Sequence, residues 1–220
     1  MNTEQKTQAG LVRGQVEAIV AEGNEVRQQV SEVVAEAAER FHLYPEGLIE
    51  LAQAVMDGAF EAVRKSVPTE PESTLRQVID GLGDGFSTAA LAGKLAIEEA
   101  ASRGKAFATE DLARMTRNLT ALADRFVKTV SATGGAFSSI TQQQLDGLRQ
   151  HVVTTHARIR PSLESAAAAA AQQPLQFARE SVGAGAALAR QGLGALFTAA
   201  GRSIYVAGKQ LAGERRSVNP

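Results

Sequence analysis

Gly81-Leu82-Gly83-Asp84-Gly85 is the stretch whose residue types come nearest to a site. Closely spaced glycines can offer backbone N–H groups to a phosphate, and Asp80 and Asp84, one helical turn apart, can face a cation together. The other requirements are missing. A phosphate loop follows a strand and ends in Lys-Ser/Thr, whereas this stretch lies on a helical periodicity. A calcium loop needs a Glu at its twelfth position, and here Leu82 stands between the aspartates. Asp80 and Asp84 therefore read as a solvated helix face. His151 and His156 are five residues apart, but a metal pair on one helix face needs a spacing of three or four, and no Glu completes a zincin arrangement. His42, beside Leu43 and Tyr44, reads as a helix-end residue rather than a base. Glu98 and Glu99 are adjacent, so they diverge on a helix and cannot share acid–base work. The absence of Cys removes thiolate nucleophiles, thiolate metal sites and disulfides. These residues predict a protein that is not an enzyme and uses no cofactor and no metal.

The elements that would position any such group are helices throughout. Val12, Val16, Ile19, Val26, Val30, Val33 and Ala37 recur at helical steps and predict a first helix of about 30 residues. Pro45 opens a second helix lined by Leu48, Leu51, Val55, Ala59 and Val63. Leu75, Ile79, Leu82, Phe86 and Ala90 line a third despite three glycines, and Leu112, Met115, Leu119, Leu122 and Phe126 line a fourth, with Thr109 as its N-cap. Gly134-Gly135 ends the fourth helix. A fifth runs from Thr141 to the alanine tract 166–171, with Pro161 as a possible kink, and a sixth from Pro174 to Ala212. The alanine tract has high helix propensity but little side chain to bury, so it reads as a thin helix end or a surface of close approach.

The early part of the chain repeats itself. Residues Val12 to Ile19 resemble Leu75 to Leu82, Tyr44 to Leu48 are answered by Ala108 to Leu112, and Phe60 to Val67 by Asp124 to Val130, a period of about 63 residues. Pro68-Thr69-Glu70-Pro71-Glu72-Ser73 separates the copies. The expected organisation is all-α: a helical hairpin over 1–67, a second over 73–133, a basic Ala/Gly-rich helix pair over 138–212 and a tail at 213–220.

Charge divides the chain differently from the repeat. Through Asp111 there are 19 acidic and 10 basic residues; from Leu112 onward there are 5 and 13. Complementary halves predict pairing within the molecule or between copies. The basic residues are scattered and lack an aromatic platform, so nucleic acid is not expected as a partner. In the last segment Leu175, Val182, Leu193, Ile204 and Leu211 fall at spacings of 7, 11, 11 and 7, with Arg179, Arg190, Arg202 and Lys209 on the flank. This candidate binding face has the pattern of a helix lying on an apolar or anionic surface. No window supplies the roughly 20 apolar residues of a spanning helix, and the polar N-terminus lacks a signal-peptide core, so a cytoplasmic location is expected.

Gly81 to Phe86, Leu95 to Ala100, Phe107 to Leu112, Phe126 to Val130, Arg160 to Glu164 and Pro174 to Ser181 resemble an uncharacterised bacterial family of all-helical proteins, a domain of unknown function. That resemblance implies a helical protein and no activity. The Ala-rich, Cys-free composition and the Phe177-Ala178-Arg179-Glu180-Ser181 element also resemble phasins, which coat polyhydroxyalkanoate granules. The resemblance implies a binding or coating protein with a lipid, granule or anionic surface as partner. The competing expectation is a self-associating scaffold in which acidic and basic halves pair.

Overall fold

The computed structural model describes residues 3–41, 46–66, 70–103, 109–133 and 142–180, and six helices occupy them. These are α1 (Thr3–Glu22), α2 (Val26–Phe41), α3 (Gly47–Ser66), α4 (Pro71–Ser102), α5 (Thr109–Thr133) and α6 (Gln142–Glu180). Among the described residues there is no strand. The chain is an all-α helical bundle, as its apolar periodicity predicts.

Two boundaries differ from the sequence reading. The single helix expected across 12–37 is divided at Gly23-Asn24-Glu25, where Gly23 has φ +73 and Glu25 φ +47. Glycine adopts the left-handed conformation without a Cβ penalty, and its N–H closes α1 by donating to Ile19 O at 3.1 Å. The chain then reverses, and Gln29 Nε2 donates to Asn24 O across the turn. Val26, Val30 and Val34 form the buried stripe of α2, with Val33 only half-buried. At the other end, α6 runs through both Pro161 and Pro174 to Glu180 instead of breaking before a sixth helix at Pro174. Six helices result, but divided differently along the chain.

The helices arrange as three successive antiparallel hairpins, α1–α2, α3–α4 and α5–α6, stacked side by side. Arg40 near the end of α2 donates to Gln8 near the start of α1, which sets the first pair antiparallel. His156 meets Ala123 O while Leu163 meets Met115 and Leu119, which does the same for α5 and α6. Between hairpins the order is parallel. Gly81 and Gly85 of α4 lie on Arg27 and Ser31 of α2, and Glu72, Asp80 and Asp84 of α4 lie on Gly147, Thr155 and Arg158 of α6. One layer is thus α1, α3 and α5, the other α2, α4 and α6, with the main contacts of each hairpin made to its neighbours. The matching segments 12–19 and 75–82 fall in different layers and run in opposite directions. An apolar seam of given spacing serves either layer equally well.

Glycine sets the depth of this stacking. A Cβ on Gly58 of α3 would lie 2.4 Å from Arg13 O and 3.2 Å from Val16 Cβ of α1; on Gly81 it would lie 2.4 Å from Arg27 O and 3.0 Å from Val30 Cβ of α2. Gly85 repeats the pattern against Ser31 O at 2.7 Å and Val34 Cβ at 2.6 Å. At each place a bare Cα seats between a carbonyl and the β-branched residue three positions later, so the backbones touch and Cα–H groups approach carbonyl oxygens. Gly83 lies on the opposite side of α4, under Thr155 and Ile159 of α6. The glycines that suggested a phosphate loop are therefore two packing surfaces of one helix.

Between the layers Phe41, Phe60, Phe86 and Phe126 are fully buried, and Phe86 meets Phe126 edge-on at 6.5 Å. Ala166, Ala167 and Ala170 are buried too, while Ala168 and Ala171 are exposed, so one side of the alanine tract is a surface of close approach rather than a thin helix end. The α4–α6 register brings it alongside Ala92 and Ala96, both buried. Among the described residues, apolar pockets of about 20 Å³ include one bounded by Met56, Phe60, Ile79 and Val152 and another by Leu48, Phe86, Met115 and Leu163. Each has room for about one water molecule and offers it almost no polar partner.

Gly81→Ala is expected to destabilise the protein by roughly 1–3 kcal/mol, because overpacking against α2 outweighs alanine's better helix propensity. Gly10→Ala, where nothing lies within 4 Å, is expected to stabilise by roughly 0.5–1 kcal/mol. Denaturant midpoints of the two variants should move in opposite directions. A pH effect follows at the α1–α3 junction, where Lys65 bridges Glu17 and Glu61 at 2.6 and 3.2 Å. Hydrogen bonds from Arg64 and Lys65 hold the Glu61 carboxyl down at about 2 against an ordinary 4.5. A depressed carboxylate contributes stability that is complete above the unfolded value and fades as pH falls through the folded one. The stability difference between wild type and Glu61→Gln, measured in urea, should therefore be full at pH 6 and vanish between about pH 4.5 and 2.

Candidate functional site

The densest polar cluster lies on the outer surface of the second layer, where the central helix α4 is flanked by α2 and α6. Asp80 and Asp84 project from α4 one turn apart, over Gly81, Gly83 and Gly85 where both neighbours approach closely. Asp84 accepts from Arg27 of α2 at 2.7 Å and from Arg158 of α6. Asp80 accepts from Arg158 at 3.1 Å and from the buried Thr155 hydroxyl at 3.1 Å. The hydrogen bond to Asp84 is the main reason that the Arg27 guanidinium is held above its usual pKa. His151 Nε2 is buried and makes no hydrogen bond, although Asp80 Oδ1 stands 3.2 Å away at ion-pair distance.

This cluster replaces the solvated face expected for Asp80 and Asp84. Their side chains are only 23 and 28% exposed, and both carboxylates are engaged by cations from neighbouring helices. It unites Asp80, Asp84 and His151, which sequence reading treated separately, and adds Arg27, Arg158 and Thr155. No local spacing could have found it, because the partners come from residues 50 to 80 positions away. The two aspartates, two guanidiniums and hydroxyl bind one another, so the arrangement clamps three helices. Among the described residues no three His, Cys, Asp or Glu side chains are placed to hold a metal ion.

The other candidate groups also have structural partners. His156 shares a 2.6 Å hydrogen bond with Ala123 O and stacks on Phe126 with ring centroids 5.9 Å apart. Glu98 and Glu99 face Lys94 and Arg103 one turn away in opposite directions. Glu46 joins the acidic and basic parts of the chain through Arg125 at 2.6 Å, and its N–H donates to the buried Asn118 Oδ1, which tethers the start of α3 to α5. His42 lies outside the described residues.

Of the predicted binding face, Leu175 and Arg179 sit on the last turns of α6, with side chains outside what is described. Val182, Leu193, Ile204, Leu211, Arg190, Arg202 and Lys209 lie outside the described residues altogether. Sequence reading missed a second apolar surface. Leu91 and Leu95, one turn apart on α4, are 45 and 52% exposed. They continue the outward line of Asp84 and Thr88 beyond the charged cluster. Their signal was available as the two leucines that fall off the buried stripe of α4. Among the described residues no helix is long and apolar enough to cross a membrane.

The chain belongs to a family of unknown function, DUF6781, whose model matches residues 1–203. No curated protein and no solved structure gives a significant match.

Asp84→Ala leaves Arg27 and Arg158 facing each other without their common acceptor. It is expected to destabilise by about 1 kcal/mol, the scale of partly exposed ion pairs, with the loss shrinking as salt is raised. Urea denaturation at two ionic strengths checks both the size and the salt dependence.

Proposed function

We propose that the protein is a non-enzymatic helical coating protein, phasin-like in its action, which attaches to an apolar or anionic surface in the cytoplasm. The exposed Leu91–Leu95 pair carries this reading. It places two large apolar side chains on the outward face of α4, whereas the other large apolar side chains among the described residues are mostly buried. The stacked hairpins serve as a rigid body, and the basic segment beyond Glu180 supplies the second half of the attachment. Leu193, Ile204 and Leu211 enter the surface while Arg190, Arg202 and Lys209 meet anionic groups.

A polar coat over an apolar particle asks little of the internal chemistry. Ion pairs, capping contacts and close packing supply rigidity, while the outward leucines and the basic segment supply adhesion. Each leucine is about half exposed, so removing the rest of it from water contributes on the order of 1 kcal/mol. That contribution persists at salt concentrations which screen the cationic one.

Co-sedimentation with phosphatidylglycerol vesicles and with polyhydroxyalkanoate granules tests the proposal. The full chain should pellet with at least one of them. Leu91→Glu/Leu95→Glu should bind at least about tenfold more weakly, and a truncation after Glu180 should lose the salt-sensitive part of the binding. If the full chain stayed in the supernatant with both particles, the reading would fail.

A further inference from the structure

Among the described residues the stack ends on α1–α2 at one side and on α5–α6 at the other, and the α1–α2 end is the more acidic. On α1 the exposed residues Glu4, Leu11 and Glu22, at spacings of 7 and 11, share the face turned away from the α3 contacts of Arg13 and Glu17. On α2, Glu32 and Glu36 lie away from the residues that seat on α4. The opposite end is built by α5 and α6. Exposed Arg149, Val153 and Arg160, at spacings of 4 and 7, share the α6 face turned from α4, with Asp146 and Glu164 paired to the two arginines and Asp124 of α5 near Arg160; Thr120 and Val127 also lie on α5. Leu11 and Val153 are 57 and 44% exposed, so each end also carries an apolar residue in its centre.

We infer that the α5–α6 end of one molecule receives the α1–α2 end of a second copy, which continues both layers in the parallel sense already present inside the molecule. In this arrangement α2 of the second copy follows α6 as α4 follows α2, and its α1 follows α5. A parallel register that sets Glu36 opposite Arg160 keeps Glu32, one turn back on α2, on the same side of the contact. The hairpin direction then carries Leu11 onto the neighbourhood of Thr120 and Val127. Arg149 and Arg160 are engaged with Asp146 and Glu164, and Glu36 with Arg40, in exposed pairs one turn apart. Such pairs are each worth only a few tenths of a kcal/mol and yield readily to a network between copies. Because the two surfaces are different, the contact is heterologous and need not close, so assembly grows as an open array. The inference is independent of the surface reading, since it uses no residue of the attachment surface.

Light-scattering mass and sedimentation velocity of the full chain, over protein concentration and at low and high salt, give the first measurement. Mass should rise with concentration at low salt and fall toward the monomer at several times 0.15 M salt. The second uses Glu36→Arg and Arg160→Glu, both at exposed positions, with helical content checked by circular dichroism. Each variant alone places like charges across the contact and should remain monomeric. Their equimolar mixture pairs Arg with Glu at every contact and should regain the assembly. A wild type that is monomeric at all concentrations in low salt would overturn the inference, as would variants that assemble alone like wild type. A mixture that stays monomeric would overturn the assigned pairing.

Discussion

The architecture depends on how closely α2 and α4 approach. Gly81 and Gly85 bring two backbones together so that carbonyls of Arg27 and Ser31 rest on bare Cα atoms. From that contact follow the parallel direction of the second layer, its register and the reach of its side chains. Gly58 makes the same approach between α1 and α3, which keeps the two layers in step. Small residues bury little area each, and a chain with 5% aromatics must recover stability through dense contact rather than large side chains.

The same approach explains the charged cluster. When three helices lie this close, side chains leaving the central one are within reach of both neighbours. Asp80 and Asp84 thereby gather Arg27, Thr155 and Arg158 into a clamp across the layer. Complementary charge between the early and late parts of the chain is thus realised within the molecule at Asp80, Asp84 and Glu46, where it fixes helix order. Groups that in isolation suggested catalysis or metal binding are drawn into packing.

A stack of hairpins also places its functional surfaces by construction. Interior hairpin faces are consumed by neighbours, and what remains is the outward face of each layer and the two ends. The outward face carries Leu91 and Leu95; the α1–α2 end carries Leu11 among glutamates, and the α5–α6 end carries Val153 between Arg149 and Arg160. The proposed adhesion and the proposed association use different sides of one body and are therefore compatible.

Much of the helical content was legible because apolar spacing along a helix is a local property. Leu75, Ile79, Leu82 and Phe86, like Leu112, Met115, Leu119, Leu122 and Phe126, are buried where their periodicity places them. The turn at Gly23 was not legible, since the same seam of valines fits one continuous helix or two antiparallel ones, and only the tertiary partners of α2 choose. Pro174 misled for the converse reason: α6 tolerates a proline that sequence rules assign to a helix start. The candidate face from Leu175 to Leu211 was read from spacing alone, whereas the Asp80–Asp84 cluster and the Leu91–Leu95 surface depend on which helices lie alongside α4. Sequence alone determined that the chain is helical and where its apolar stripes run, because those follow from 3.6 residues per turn. The tertiary structure decided which stripes meet and which charges pair, because those distances span 50 to 80 residues of chain and exist only once the hairpins have stacked.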